Sequence, residues 1–328
     1  MNDLVVVTGA TGFIGTYLVR ELVGGGATVR VLVRRPELLD PLVRARVDVR
    51  RGDVRDEDTL AAAVRGARTV LHLAACARAW ARDPREFTAV NVDAVRVLLA
   101  AARAADVERL VHVSTVLTLP AFRPAWGTQG VRGLTPYEAT KLEGERLVEA
   151  YAAEGRHAVI VHPTRVYGPG PLTDANAVTR VMMLYLAGRF RVRLADGEAL
   201  GNYVHAGDVA TGILLAARAG RPGAHYLLGG ENASFRAFLE LVGELGGGRR
   251  RVATLHPALA LAAAGAAEVW GWLGGSVPLT RDWVRVFLED RRGDVTPARQ
   301  DLGYAPRSLR AGVAETIAWL GARGSAAA

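Results

Sequence analysis

Lysine is almost missing from this chain. Of its 41 Lys+Arg positions only Lys141 is lysine, so nearly every site that needed only a positive charge carries guanidinium. A position that keeps the compact ammonium is one where the wide, planar guanidinium does not substitute. Cysteine is as scarce. Cys76 stands alone, which excludes an intramolecular disulfide and a cysteine-based metal cluster, and no metal site is expected. It points to a reducing, cytoplasmic setting. Long apolar runs are missing too. The Ala-rich stretch Ala258–Ala267 is short and flanked by His256, Pro257 and Glu268; it reads as a buried helix, and no stable membrane span is expected. The N-terminus lacks a basic leader and runs directly into an apolar strand pattern.

The charge present is lopsided, with a net +8 and pI ≈ 10.2. Such a balance raises nucleic-acid binding. The arginines are scattered and often sit beside acids, as from Arg51 to Asp58, and the longest run is Arg249–Arg251 after three glycines. That pattern argues against a nucleic-acid surface and leaves charge for a small anionic cofactor or substrate.

Hydrophobic residues at 50% and charged residues at 23% over 328 positions describe a globular protein of one large domain or two joined ones. Apolar runs at Leu4–Val7, Thr28–Val33, Val47–Arg51, Thr69–Leu73, Leu110–Ser114 and Ala158–His162 alternate with helical patterns near 13–23, 57–65, 86–105 and 136–154. This is an α/β pattern, a doubly wound parallel sheet of the Rossmann type covered on both faces. After Gly168-Pro169-Gly170-Pro171 the rhythm changes. We expect a nucleotide-binding domain over 1–165 plus about 202–220, and a smaller substrate-binding domain from about 166–201 and 221–328.

Three features carry chemistry. Gly9, Gly12 and Gly15, with Thr11, Phe13 and Ile14 between them, lie between the first strand and a helix. There glycine lets the backbone approach a pyrophosphate, and the helix N-terminus supplies free N–H groups. After the second strand come Arg34 and Arg35. An acid at this point selects NAD through the ribose 2′-hydroxyl, whereas a guanidinium pair suits a 2′-phosphate, so the expected cofactor is NADP. Asp53, followed by Val54, is placed to accept from the adenine amino group. Third, Thr135-Pro136-Tyr137-Glu138 carries a helix-start signature, a capping box with Pro at the first position. Tyr137 and Lys141 then share one helix face. An ammonium near a phenol favours phenolate, and lowering the phenol by ~2–3 units requires roughly 3–4 kcal/mol.

The glycine loop, Gly52-Asp53-Val54, Leu71-His72-Leu73-Ala74-Ala75, Val113-Ser114-Thr115, Tyr137-xxx-Lys141, His162 through Gly170 and Tyr203 through Ala210 occur in an order that resembles the extended short-chain dehydrogenase/reductase superfamily. The resemblance spans almost the whole chain. It implies that Tyr137 is the proton donor or acceptor and that Lys141 holds the nicotinamide ribose and tunes Tyr137. Thr115, with Ser114 as its neighbour and fallback, would hold the substrate oxygen. It implies cofactor contacts at Leu73, Ala74, Ala75, Asn91, Pro163, Thr164 and Val166, and a homodimer through the helices near 86–105 and 136–154. His72 reads as a structural strand-end histidine. Arg78, Trp80, Phe122 and Trp126 lie in loops that would shape the substrate pocket.

Sugar 4,6-dehydratases of this superfamily carry an Asp-Glu pair after the catalytic Thr, where this chain has Val116 and Leu117. Epimerases place Arg-Asp where this chain has Leu200 and Gly201. The pattern looks more like the dihydroflavonol-reductase and 3β-hydroxysteroid-dehydrogenase branches. The leading expectation is NADP-linked reduction of a small ketone or aldehyde. A nucleotide-sugar epimerase with tightly bound cofactor is the alternative, and a non-catalytic NADP-binding sensor is the third reading.

Overall fold

The computed structural model describes residues 3–78, 80–119, 135–275, 277 and 280–326. Its centre is a parallel sheet of seven strands. These are β1 (Leu4–Thr8), β2 (Thr28–Val33), β3 (Asp48–Arg51), β4 (Thr69–His72), β5 (Arg109–Val113), β6 (Ala158–Pro163) and, further along the chain, β10 (His225–Leu228). Their order is β3-β2-β1-β4-β5-β6-β10. The valine-rich strands are buried on both faces, as a sheet with helices on each side requires. Val7, Val31, Val161 and Leu228 pack under the helices Phe13–Gly24 and Ala206–Ala219. Val6, Leu32, Val70, Leu110 and Ile160 pack under Glu57–Val64, Ala94–Ala104 and Pro136–Ala153. The strand order reverses between β1 and β4, and ligands of doubly wound sheets bind beyond the strand ends at such a point.

Four sequence expectations are corrected. The strand at 202–205 does not join the large sheet. It belongs to β9 (Leu200–His205), between β7 (Arg165–Tyr167) and β11 (Glu231–Ser234) in a sheet of three. Tyr203 holds it there, stacked on Phe238 with ring centroids 4.5 Å apart. Conversely, β10 lies beyond the expected boundary near 221 yet closes the large sheet against β6. The helix expected over 86–105 is broken by a π turn at Ala89–Asp93. The side chain of Asn91 accepts from Cys76 N at 2.9 Å and donates to Thr140 Oγ1 at 3.1 Å. Gly144 lets the facing helix approach the Asn91 carbonyl. Finally, the Ala-rich segment forms Pro257–Trp272, but only Ala260, Ala264 and Gly271 are buried. Leu259, Val269, Trp270, Trp272 and Leu273 are exposed. Among the described residues no helix is long and apolar enough to cross a membrane. A two-stranded sheet, β8 (Val192–Leu194) with β12 (Ala253–Leu255), completes the smaller lobe.

Candidate active site

The glycine loop lies at the reversal point. Gly9 has φ +74, and a Cβ there would stand 2.7 Å from Leu73 C and Ala74 N. A Cβ on Gly15 would collide with the Gly9 carbonyl. Glycine at these two positions lets the loop close onto the end of β4, where Ala74 N donates to Thr8 Oγ1 at 3.2 Å. The helix Phe13–Gly24 starts from Gly12 with no acid in its first turn, so its positive end is uncompensated. Thr11, Ile14, Leu73, Ala74 and Ala75 are partly exposed around this loop, whereas the Phe13 ring is buried against Tyr17. A glycine loop held tight against the end of β4, over a helix N-terminus with no acid in its first turn, fits a dinucleotide pyrophosphate.

Arg34 and Arg35 are exposed just past β2. Asp53 is already engaged, since Arg55 donates to it from Nε at 3.0 Å and from Nη2 at 2.8 Å. This pair is the main reason its carboxyl sits below the usual range, with Arg34 a smaller contributor. Val54 is core. Pro163 ends β6, Val166 is in β7, and Thr164 between them donates to Asn202 Oδ1 at 2.9 Å.

The Tyr137 helix starts as its sequence dictates. Thr135 Oγ1 accepts from Glu138 N at 3.0 Å and Glu138 Oε2 accepts from Thr135 N at 3.0 Å, with Pro136 at the first helical position. This cap places Tyr137 by the turn after β5, where the Thr115 side chain is near enough to favour its phenolate. Ser114 does not share that site; it donates to Glu145.

Lys141 differs from expectation. It is 1% exposed, and its Nζ donates to Val113 O at 2.8 Å and to His112 Nε2 at 3.2 Å. Burial pulls the ammonium down to about 8, partly offset by Glu145. Tyr137 is pushed up to about 12, chiefly by burial; the nearby Thr115 side chain pulls the other way, and Glu138, Cys76 and Glu145 add to the rise. The phenol is therefore not lowered by Lys141 in this state. One helical turn brings the lysine to the tyrosine's face but beneath it, onto the edge of β5. His72 is structural, as expected, sharing a hydrogen bond with Thr8 Oγ1 at 2.8 Å in full burial.

Of the pocket residues, Trp80 meets Trp272 edge-on at 6.2 Å, and Arg78 pairs with Glu86 at 3.2 Å on the surface. Phe122 and Trp126 lie outside the described residues.

Sequence reasoning missed two groups. Glu145 is buried one turn past Lys141, and the repeat Tyr137, Lys141, Glu145 was a signal that could have found it. Arg165 and Arg291 are the others. Arg165 donates to Tyr203 OH at 3.0 Å, and Arg291, only 4% exposed, pairs with Glu289 at 3.2 Å. Among the described residues, Nη2 of Arg165 and both Nε and Nη1 of Arg291 are buried without hydrogen-bond partners. Arg291 interacts electrostatically with Arg165 and with Glu138, the neighbour of Tyr137.

The fold, the nucleotide cradle and the hydroxyl pair define a class, the dinucleotide-binding enzymes of the extended short-chain dehydrogenase/reductase type. Residues 5–229 match the NAD dependent epimerase/dehydratase family, and the chain belongs to it. It is 30% identical over 336 residues to sterol demethylase protein B of Methylococcus capsulatus, covering 97% of this chain and 98% of the relative. It is 32% identical to a 4-hydroxy-2-methyl-3-oxo-4-farnesyl-3,4-dihydroquinoline-1-oxide ketoreductase of Stigmatella aurantiaca, over 92% and 91% of the two chains. Among solved structures it resembles MoeE5 in complex with UDP-glucose and NAD, with 30% identity, a TM-score of 0.73 and coverage of 98% of this chain and 99% of that one.

Proposed function

We propose that this chain is an NADP-dependent oxidoreductase that reduces the ketone or aldehyde of a small organic substrate, or oxidises the alcohol, with Tyr137 as acid and base. The side chains of Tyr137 and Thr115 lying near each other, with Lys141 buried one helical turn on, carry this reading. Arg34 and Arg35 would hold the 2′-phosphate of a cofactor at the glycine loop, which would supply or accept the hydride. Thr115 holds the substrate oxygen while Tyr137 gives it a proton. Lys141, with three donors and two used, has one left for the cofactor's ribose. A phenol held near 12 is poised to stay protonated, which suits the reduction direction. The positive charge of an oxidised nicotinamide would lower it for the reverse. The helices near 86–105 and 136–154 remain the expected homodimer contact.

A second reading is a nucleotide-sugar epimerase that holds its cofactor tightly. The unsatisfied donors of Arg165 and Arg291 favour it, because buried guanidinium groups call for a phosphate or carboxylate. A sensor without turnover is the third. Purified protein separates them. Net NADPH consumption with a panel of dihydroflavonols, 3-oxosteroids and 2-alkyl-3-oxoalkanoates supports reduction. Interconversion of UDP-glucose with retained cofactor and no net NADPH loss supports the epimerase.

For the cofactor, Arg34→Asp should weaken NADPH binding at least tenfold while changing NADH binding little. Isothermal titration with both nucleotides checks it, and equal loss of both contradicts the NADP assignment.

A further inference from the structure

The helix Pro257–Trp272 is seated by one side and left open on the other. Its inner side is complete. Ala260 and Ala264 are buried with Val284, and Leu194 of β8 and Leu255 of β12 pack against them. Arg281 donates to Glu268 from Nε at 2.8 Å and from its backbone N at 2.7 Å. At the far end Gly271 lets the Trp80 ring approach, since a Cβ there would stand 3.0 Å from it. The outer side repeats Leu259, Ala263, Ala266, Trp270 and Leu273 at spacings of four and three, which is one stripe of a helix. All five are exposed, Leu259 by 62% and Leu273 by 76%, and Val269 beside them is exposed too. From Ala258 to Gly274 the only charged side chain is Glu268, and Arg281 holds it. The solvent side of a surface helix ordinarily carries charged and polar residues; this stripe carries no charge.

The flank of the stripe is basic. In the paired strands β8 and β12, Val192 lies opposite Ala253 and Leu194 opposite Leu255. Val192, two residues before Leu194, is on the sheet face that packs against the helix, and it is 45% exposed. Next to it Arg191, Arg250 and Arg251 line an open hollow with Val252 and Ala253. Among the described residues these three arginines form no ion pair, whereas Arg20, Arg68 and Arg103 each hold an acid.

We propose that this face rests on a lipid bilayer with anionic headgroups, the Leu259–Leu273 stripe at the acyl boundary and Arg191, Arg250 and Arg251 on the phosphates. The two halves of the patch select this occupant together. A polyanion such as nucleic acid answers the arginines and has nothing for the apolar stripe. An uncharged apolar partner answers the stripe and leaves the arginines uncompensated. A second copy of the chain would bring the same surface, on which the one acid of the helix is already paired. An anionic bilayer offers apolar depth and negative charge within one interface. Trp270 and Trp272, each with an apolar body and an N–H, suit that boundary. The helix lies on the membrane rather than through it, because 16 residues at about 1.5 Å each fall short of a ~30 Å core.

Binding of this kind does not depend on the reaction proposed above, so no substrate is needed to test it. Full-length protein is floated with vesicles of phosphatidylcholine alone, and of phosphatidylcholine and phosphatidylglycerol in equal parts. Partitioning to the anionic vesicles should be at least about tenfold stronger and should weaken with salt. Leu259→Glu combined with Val269→Glu should lower it at least about tenfold, and Arg191→Gln combined with Arg251→Gln by a similar factor. All four side chains are exposed, and an unchanged thermal unfolding midpoint checks that the variants fold. Should a variant not fold, the wild-type protein decides: phosphatidylglycerol brominated in its acyl chains should quench part of the tryptophan emission. Absence of binding to the anionic vesicles overturns the proposal, as does binding that either folded double variant leaves unchanged, or binding without quenching. A wild-type dimer that light scattering finds converted to monomer by Leu259→Glu with Val269→Glu would assign the face to a second copy and overturn it as well.

Discussion

At the scale of single residues, the lone lysine marks the most constrained cation in the molecule. Its Nζ sits between a backbone carbonyl and a histidine ring in nearly full burial. Arginine would bring a longer side chain and five donors to a slot with two acceptors. Lys141→Arg keeps the charge, yet it should lower kcat at least a hundredfold and destabilise the fold by about 1–3 kcal/mol through overpacking. Steady-state kinetics and urea unfolding check both. The spacing of Tyr137 and Lys141 was legible because a helix puts i and i+4 on one face. The lysine's real partners were not, since His112 and Val113 come from a strand 28 to 29 residues away whose approach only packing sets. For the same reason the sequence suggested a lowered tyrosine where burial raises it. The pairing of Asp53 with Arg55, its neighbour by two, was likewise not part of the sequence reading.

At the scale of elements, local signals read well and long-range ones poorly. The capping box at Thr135 and Glu138 forms as written, because all its atoms lie within one turn. The glycine loop does too, although the reason for Gly9 is its contact with Leu73 and Ala74, 64 and 65 residues on. Gly9→Ala would have to hold φ +74 and push that strand end away. It should cost about 1–3 kcal/mol and weaken nucleotide binding at least tenfold. Thermal unfolding and cofactor titration measure the two. The π turn at Ala89–Asp93 left no mark in the apolar periodicity. It is set by the Asn91 side chain reaching Cys76 and Thr140, contacts that no local pattern encodes.

For the whole molecule, the first six strands of the sheet and the doubly wound order were legible from apolar runs alternating with helices. The seventh strand was not, because His225–Leu228 is four residues long and follows a chain excursion through the smaller lobe. The fold also buries four histidines, His72, His112, His162 and His205, and desolvation lowers all of them, His72 and His162 to about 3 and His205 to about 4. The unfolded chain binds protons at these sites below about 6.5, and the folded protein does not. Stability from these groups is therefore constant above about 6.5 and falls as pH drops toward about 3, by up to about 5 kcal/mol per pH unit for four imidazoles. Urea unfolding from pH 8 to pH 5 should show a plateau and then a steep loss, and His72→Gln should shallow the slope. A stability that is flat down to pH 5 would contradict the burial of neutral imidazoles.

The account as a whole stands on one phenol. The decisive measurement is hydride transfer between NADP(H) and a carbonyl or alcohol that the wild-type protein turns over, compared with Tyr137→Phe. Cofactor affinity is measured alongside by fluorescence titration. Phenylalanine keeps the ring and removes only the proton that the reaction needs. The predicted result is a fall in kcat of at least about a thousandfold, with NADPH affinity within threefold of wild type. Turnover by Tyr137→Phe within tenfold of wild type would contradict the assignment of Tyr137 as the acid and base of this enzyme.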